Sequence, residues 1–281
     1  MSRPVYAPIA GKTVVITGAG SGMGRALAQR LSRLGSPVVI SDANPDTLQE
    51  TVDALAGPVL HRTLDVRDKQ GQLALAAEAR EWSPAPFGAV FNNAGVALSS
   101  NVIDASPEDD DWVLDINLNG VIHGVRAWLP ILVEQGSGAI VNTSSVFGLI
   151  GFKTQSAYCA SKFAVRGFTD SLRWELKGTG VRAITVHPGG ITTNIVANGR
   201  MKADPRGGTR TAEDIAKEFE MITMTSPDKA AKIIHKGVDA GKARILVGPD
   251  AYLFDAIART LPTHYPVVFD GFDRLMTRFG R

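Results

Sequence analysis

The amino-acid sequence predicts an α/β protein: a doubly wound parallel sheet of about seven strands with helices on both faces. Two observations carry this. Seven short apolar runs rich in β-branched residues recur along the chain, the pattern of strands buried on both faces. Longer helix-compatible segments alternate with them, so that each connection becomes a right-handed crossover. In order, the runs are TVVIT (13–17), PVVISD (37–42), VLHRTLDV (59–66), GAVFNN (88–93), GAIVNTSS (138–145), VRAITVHP (181–188) and ARILVG (243–248). The segment RALAQRLSRLG follows the first run with helical periodicity. Asn44-Pro45 reads as an N-cap followed by proline at the first helical position, and Ser106-Pro107 repeats the device before a helix running through Trp112 and Asn117. The stretch SAYCASKFAVRGFTDSLRWEL is helical in pattern and sets Tyr158 and Lys162, four residues apart, on one face. In open sheets of this kind ligands sit beyond the carboxyl ends of the strands, so chemistry is sought just after each run.

Composition narrows the class. The 281 residues are 44% hydrophobic and 21% charged, an ordinary globular mixture read as one large domain over 1–281. Thirty Lys and Arg against twenty-eight Asp and Glu leave a net charge of +2. No long basic run is available to neutralise a phosphate backbone, so nucleic acid is not expected as a partner. The single cysteine, Cys159, permits no internal disulfide and lacks CxxC or clustered-histidine company, so no metal is expected. The first twelve residues do not read as a secretory signal, and no segment offers the ~18 consecutive apolar residues that span a bilayer. The expectation is a soluble cytoplasmic protein.

The stretch TGAGSGMG (17–24) carries glycine at 18, 20, 22 and 24, a spacing that fits G-x-G-x-x-G in no register. Its position after a strand and before a helix suits a phosphate-binding turn, and equally a plain connection that uses glycine for its positive φ. Tyr158 and Lys162 alone would likewise suit an amphipathic core helix with the tyrosine half buried and the lysine solvated. Asn117, in mid-helix, is intrinsically unfavourable there and thereby points to function.

Read together, the marks resemble the short-chain dehydrogenase/reductase family. They are T-G-x-x-x-G-x-G (Thr17, Gly18, Gly22, Gly24), NNAG (92–95), Asn117 within INLNG, Ser145, YCASK (158–162) and PGGITT (188–193), in order along nearly the whole chain. The resemblance implies a compact Rossmann fold and a nicotinamide dinucleotide cofactor. It implies a catalytic set of Asn117, Ser145, Tyr158 and Lys162, in which the lysine ammonium lowers the tyrosine pKa and holds the nicotinamide ribose, the serine holds the substrate oxygen and the asparagine supports a proton relay; Tyr158 and Lys162 thus also belong to the cofactor site. Ser144 competes with Ser145, whose spacing of thirteen residues before Tyr158 is the family's. His123 and His187 are read as structural. Gly18, Ser21, Gly22, Met23 and Gly24 would meet the pyrophosphate, with Gly20 the most replaceable glycine. Asp65 and Val66 would meet adenine, and Asn92, Ala94 and Gly95 the adenosine ribose. Pro188, Gly189, Ile191 and Thr193 would cradle the nicotinamide. Asp42, about twenty residues beyond the loop, would accept from the ribose hydroxyls and repel a 2′-phosphate, favouring NAD over NADP; Arg25 either faces solvent or reaches a phosphate.

Residues 194–225, after the nicotinamide segment, are expected to form a mobile lid. Phe147, Leu149, Ile150 and Phe152 face it as a wall, with Ile195, Val196 and Met201 on the lid, which suits a moderately large apolar alcohol or ketone. The tail 265–281 places Val268, Phe269, Phe272, Leu275, Met276 and Phe279 at near-helical spacing. That stripe needs cover from the protein's own body, a sister subunit or a membrane surface; family members are commonly dimers or tetramers. Two rivals stand beside the dehydrogenase reading: a nucleotide-sugar epimerase, whose glycine spacing and larger C-terminal domain are not seen, and a non-catalytic NAD-binding scaffold or sensor.

Overall fold

The structure is a computed structural model that describes residues 6–204, 211, 213–215, 217 and 223–267. Each expected run forms a strand: β1 (Thr13–Thr17), β2 (Val38–Asp42), β3 (Val59–Thr63), β4 (Phe87–Asn92), β6 (Gly138–Thr143), β7 (Val181–Pro188) and β9 (Arg244–Val247). They pair in parallel in the order β3-β2-β1-β4-β6-β7-β9. Between β1 and β4 the order reverses, and this opens the crevice in which such sheets bind ligands. The residues after β1 and β4, TGAGSGMG and NAG, therefore face one another.

Helices α1 (Gly22–Arg33), α2 (Pro45–Asp53), α3 (Lys69–Trp82), α4 (Pro107–Leu114), α5 (Gly120–Gln135), α6 (Ser156–Glu175), α7 (Pro227–Asp239) and α8 (Pro249–Thr260) supply the connections. The expected caps form: Asn44 Oδ1 accepts from Asp46 N and Thr47 N, and Ser106 accepts from Asp109 N. Two apolar layers fill the two faces of the sheet. Leu27, Leu31, Leu48, Ile234 and Val238 pack on one side. Leu75, Trp128, Val165 and Leu172 pack on the other. Because each layer removes whole aliphatic side chains from water, burial dominates the stability of the sheet.

Two local features were not legible as elements. Between α4 and α5, Asp115–Asn119 forms a π-helical turn, so the expected continuous helix through Asn117 is interrupted there. Leu98–Ser99 (β5) and Arg200–Met201 (β8) form a separate two-stranded parallel sheet, which anchors the start of the expected lid instead of leaving it loose. Asp109 in α4 reinforces the anchor, taking Arg200 at 2.7 Å and Lys202 at 3.8 Å; the Arg200 guanidinium lies 4.0 Å from the Trp112 ring centroid. Among the described residues no helix is long and apolar enough to cross a membrane. The apolar tail residues Val268, Phe269, Phe272, Leu275, Met276 and Phe279 lie outside the described residues.

Candidate active site

The glycine loop is built by joining the ends of β1 and β4. Thr17 Oγ1 accepts from Asn93 N and Ala94 N at 3.1 Å each, and Asn93 Nδ2 donates to Thr17 O and Gly18 O. Gly18 has φ +65 and a Cβ there would lie 2.7 Å from Ala94 Cα, so both conformation and space demand glycine. Gly24 packs against the Gly18 carbonyl, and Gly22 faces the Thr193 methyl. Ser21 caps α1 in extended conformation without a side-chain hydrogen bond, the first turn carries no acidic residue, and Met23 packs on the core. An open helix N-terminus beneath a cradle that admits no side chain fits a pyrophosphate.

Gly20, expected to be the most replaceable of the four glycines, has no positive φ, and a Cβ there would meet side chains rather than backbone. A Cβ at this position would lie 2.6 Å from Thr47 Oγ1 and 2.9 Å from the Asp42 carboxylate. Its N–H donates to Asp42 Oδ2 at 2.8 Å, and its carbonyl accepts from Arg25 Nε at 3.0 Å and from the terminal nitrogen at 2.5 Å. Arg25 thus turns back on the loop, where it also donates to Thr47 O at 3.1 Å and meets Glu50 Oε2 at 2.7 Å.

The adenine-side residues divide. Leu64 N donates to Asp42 O, which holds the Asp65-Val66 turn beside Asp42. The Asp65 carboxylate, expected to face adenine, forms a forked ion pair with Arg67, Nε at 3.1 and 3.0 Å and the terminal nitrogen at 2.6 Å, and that guanidinium holds its pKa below the usual carboxylate value. Val66 is buried and its carbonyl accepts from Gln72 Nε2. Asn92, expected beneath the ribose, is buried and directed sideways through the sheet, donating to Asn142 Oδ1 at 2.8 Å; Asn142 in turn donates to Thr169 Oγ1. Its role is to join β4, β6 and α6. Its neighbour Asn93, overlooked in the sequence, is the residue that holds Gly18.

Tyr158, Lys162 and Ser145 come together at the ends of β6 and α6, with side chains drawn out of water: Tyr158 is 9% exposed and Lys162 3%. The alternative of a solvated lysine is thereby excluded. Lys162 Nζ lies 5.6 Å from the Tyr158 ring centroid and donates to Thr143 O at 3.3 Å. The expectation that the ammonium lowers the tyrosine pKa is corrected. Burial pushes the phenol up to about 12 despite the hydrogen bond offered by Ser145, and the same burial pushes Lys162 down to about 8. In a dry site both charged forms lose hydration, which disfavours tyrosinate and ammonium alike.

Ser145 sits at the head of a short 3-10 turn, where its Oγ accepts from Phe147 N. Ser144 is spent on the backbone, donating to Lys162 O at 2.8 Å, which leaves Ser145 facing the tyrosine. His187, read as structural, has a more particular place: its Nδ1 lies 2.9 Å from Ser145 O, and Nε2 is buried without a partner. Burial drives its pKa to about 4, so the ring is neutral and donates from Nδ1. Asn117 is fully buried in the π-helical turn. Its Oδ1 accepts from Val96 N at 2.9 Å while Nδ2 donates to Val96 O and Ser161 Oγ, so its side chain clamps the segment after NNAG. Gly95 leaves room between Asn117 and Lys162, since a Cβ there would lie 3.0 Å from Asn117 Oδ1 and 3.2 Å from Lys162 Nζ.

The segment after β7 rests on Asp250 at the start of α8. Its carboxylate lies under Gly189 and accepts from Gly190 N at 2.5 Å, fixing the turn that follows Pro188. Ile191 is buried and bridges to Thr225, and Thr193 is carried to Gly22. The apolar wall is narrower than expected. Phe147 and Phe152 stack at 5.2 Å, and Phe147 meets Tyr158 edge-on at 6.2 Å. Leu149 and Ile150 instead turn into the protein and are buried. Thr154 has φ +62, a costly conformation for a β-branched residue. It is held by Ser100 N donating to its carbonyl at 2.8 Å and by its hydroxyl lying 3.0 Å from Ser99 Oγ.

Comparison with known proteins gives a consistent result. Residues 12–204 match the family model described as short chain dehydrogenase. The chain is 41% identical over 263 residues to SadH of Mycobacterium tuberculosis, named as an oxidoreductase, with 91% of this chain and 92% of that protein covered. It is 36% identical over 217 residues to the cyclohexanol dehydrogenase of Acinetobacter sp. strain SE19, covering 73% and 85%. A short chain dehydrogenase/reductase from Burkholderia phymatum, solved in complex with NAD, superposes with a TM-score of 0.81 at 30% identity over 90% of this chain and 94% of that one. A serine dehydrogenase complexed with NADP+ gives 0.73 at 27% identity over 85% and 95%.

Proposed function

The chain belongs to the short-chain dehydrogenase/reductase family, and on that premise we propose that it is an NAD(H)-dependent oxidoreductase that interconverts a secondary alcohol and a ketone. The observation that carries this reading is the buried juxtaposition of Tyr158, Ser145 and Lys162. A nicotinamide dinucleotide, when bound, supplies the hydride donor or acceptor. It would be held by the 18–24 loop, Asp42, the Asp65-Val66 turn, Asn92, Ala94, Gly95, Tyr158, Lys162 and the Pro188–Thr193 segment.

The chain's own residues handle the proton and the geometry. With its pKa near 12, Tyr158 is a phenol at neutral pH and can give its proton to a carbonyl oxygen in ketone reduction. Ser145 aligns that oxygen beside the phenol. In alcohol oxidation Tyr158 must first release its proton. Lys162, whose own pKa lies at about 8, is the cation nearest to that tyrosinate. Asn117 acts as a positioning residue, fixing Val96 and Ser161 around the lysine. Asp42 favours NAD over NADP through its charge, which accepts from a ribose diol and opposes a 2′-phosphate. The aromatic pair Phe147–Phe152 supports an apolar substrate, a reading to which the similarity to a cyclohexanol dehydrogenase adds an alicyclic alcohol as a first choice. Residues 194–225 would form the substrate lid, of which 205–210, 212, 216 and 218–222 lie outside the described residues.

The test is a cofactor-coupled absorbance screen of alicyclic, steroid, terpenoid, sugar and aliphatic alcohols and ketones, with NAD and NADP forms in parallel. Turnover with NAD on an apolar secondary alcohol is expected. Cofactor binding without turnover across the panel would replace this reading with a non-catalytic NAD-binding protein, and a clear NADP preference would refute the role of Asp42.

A further inference from the structure

We propose that Glu50 is a second cofactor-selectivity residue, acting through Arg25; the proposal rests on the reading of Asp42 as the ribose-binding carboxylate. Gly20 is gripped from both sides. Asp42 takes its N–H at 2.8 Å and Arg25 takes its carbonyl at 3.0 and 2.5 Å, so a carboxylate and a guanidinium flank one residue of the cofactor loop. A guanidinium on the carbonyl of the glycine whose N–H meets Asp42 is the kind of group matched to a 2′-phosphate, because its planar fork binds phosphate oxygens in pairs. Left to itself, Arg25 would work against the discrimination that Asp42 supplies.

Glu50 removes that conflict. Its carboxylate meets Arg25 at 2.7 Å from the second turn of α2, while Thr47 O accepts from the same nitrogen at 3.1 Å. The formal charges around Gly20 are then Asp42 and Glu50 against Arg25, a net of −1. This opposes a group carrying nearly two negative charges and is indifferent to a neutral diol. The pair is partly exposed, with side chains 31% and 63% accessible for Arg25 and Glu50, so it adds little to stability. Its value lies in the sign of the local field, and Arg25 is a phosphate ligand kept out of use.

Equilibrium titrations of NADH and NADPH, followed by fluorescence or calorimetry, test this with wild type, E50Q, D42N, D42N/E50Q and D42N/E50Q/R25M. The NADPH-to-NADH affinity ratio should rise by about three- to tenfold for each carboxylate removed. The rise should shrink at high salt, and the triple variant, whose cluster carries no net charge, should fall back to about the level of the single-carboxylate variants. A ratio unchanged in E50Q and no higher in D42N/E50Q than in D42N, or a D42N/E50Q ratio undiminished by loss of Arg25, would overturn the role of Glu50. Wild type binding NADPH as tightly as NADH would instead refute the Asp42 reading, and this is read separately from the effect of E50Q on NADPH alone.

Discussion

The two ends of the crevice use polar groups in opposite ways. At the nucleotide end the working surface is backbone, shaped by glycines, and its charges lie near water in pairs: Arg25 with Glu50, and Arg67 with Asp65. At the reaction end the working surface is side chain, and the ionisable groups are buried, so Tyr158 is held at about 12, Lys162 at about 8 and His187 at about 4. Binding a dinucleotide calls for shape and a modest field, which solvent-screened charges provide. Moving a proton calls for groups whose ionisation is costly unless substrate completes their surroundings, and burial provides that. The difference predicts that damage at the first end appears in affinity and damage at the second in turnover and in pH response.

The largest expected effect is at the reaction end. Tyr158→Phe should lower turnover by about 10²–10⁴-fold and leave NADH affinity within a factor of two; single-turnover kinetics beside a binding titration checks both, and retained turnover would break the comparison. Next is acid stability. The folded-state pKa of His187 lies below its ordinary 6.5, at about 4, so the unfolded chain binds more protons between those values and stability falls as pH drops through that window, by about 3 kcal/mol. In His187→Asn, which keeps a donor for Ser145 O, denaturant titrations from pH 6.5 to 4 should show a correspondingly shallower loss than wild type; identical slopes would show that the ring does not titrate as described. Smallest is Gly20→Ala. The contacts with Thr47 and Asp42 should cost about 1–3 kcal/mol of stability and weaken NADH several-fold, with the turnover of bound substrate little changed, as a thermal melt and a KM-against-kcat split would reveal.

Legibility in the sequence followed the same division. The five inner strands were readable because burial on both faces writes itself as continuous β-branched runs, the edge strands β3 and β9 being only partly buried, and α2 and α4 because Asn44-Pro45 and Ser106-Pro107 announce their caps. Tyr158, Lys162 and Ser145 were readable as a set only through the family resemblance, since the i, i+4 spacing of Tyr158 and Lys162 alone suits an amphipathic core helix equally well. What spacing cannot convey is the surroundings of a side chain. The close fit around Gly20 was hidden because its neighbours Asp42 and Thr47 arrive from the next strand and helix. That Asn92 sends its side-chain amide to Asn142, fifty residues on, could not be read from NNAG. The tyrosine pKa was misjudged because charge proximity can be inferred from an i, i+4 pair, whereas depth of burial depends on elements far along the chain. His187 gave no signal beyond being polar among apolar neighbours.

The small β5·β8 sheet has a bearing on order of assembly. Ser99 Oγ donates to Ala203 O at 2.8 Å and Ser99 O accepts from Lys202 N and Ala203 N, closing a loop whose ends are 104 residues apart. Contacts of such range form only after the sheet that brings their ends together. They are also the first to be lost, since four paired residues can part without disturbing either apolar layer. The amides of Lys202 and Ala203 therefore belong to a local cooperative unit that exchanges with solvent well before β1 or β4. Because Ser99 also holds the strained Thr154 at the entry to α6, each opening of that unit releases one restraint on the start of the helix that bears Tyr158.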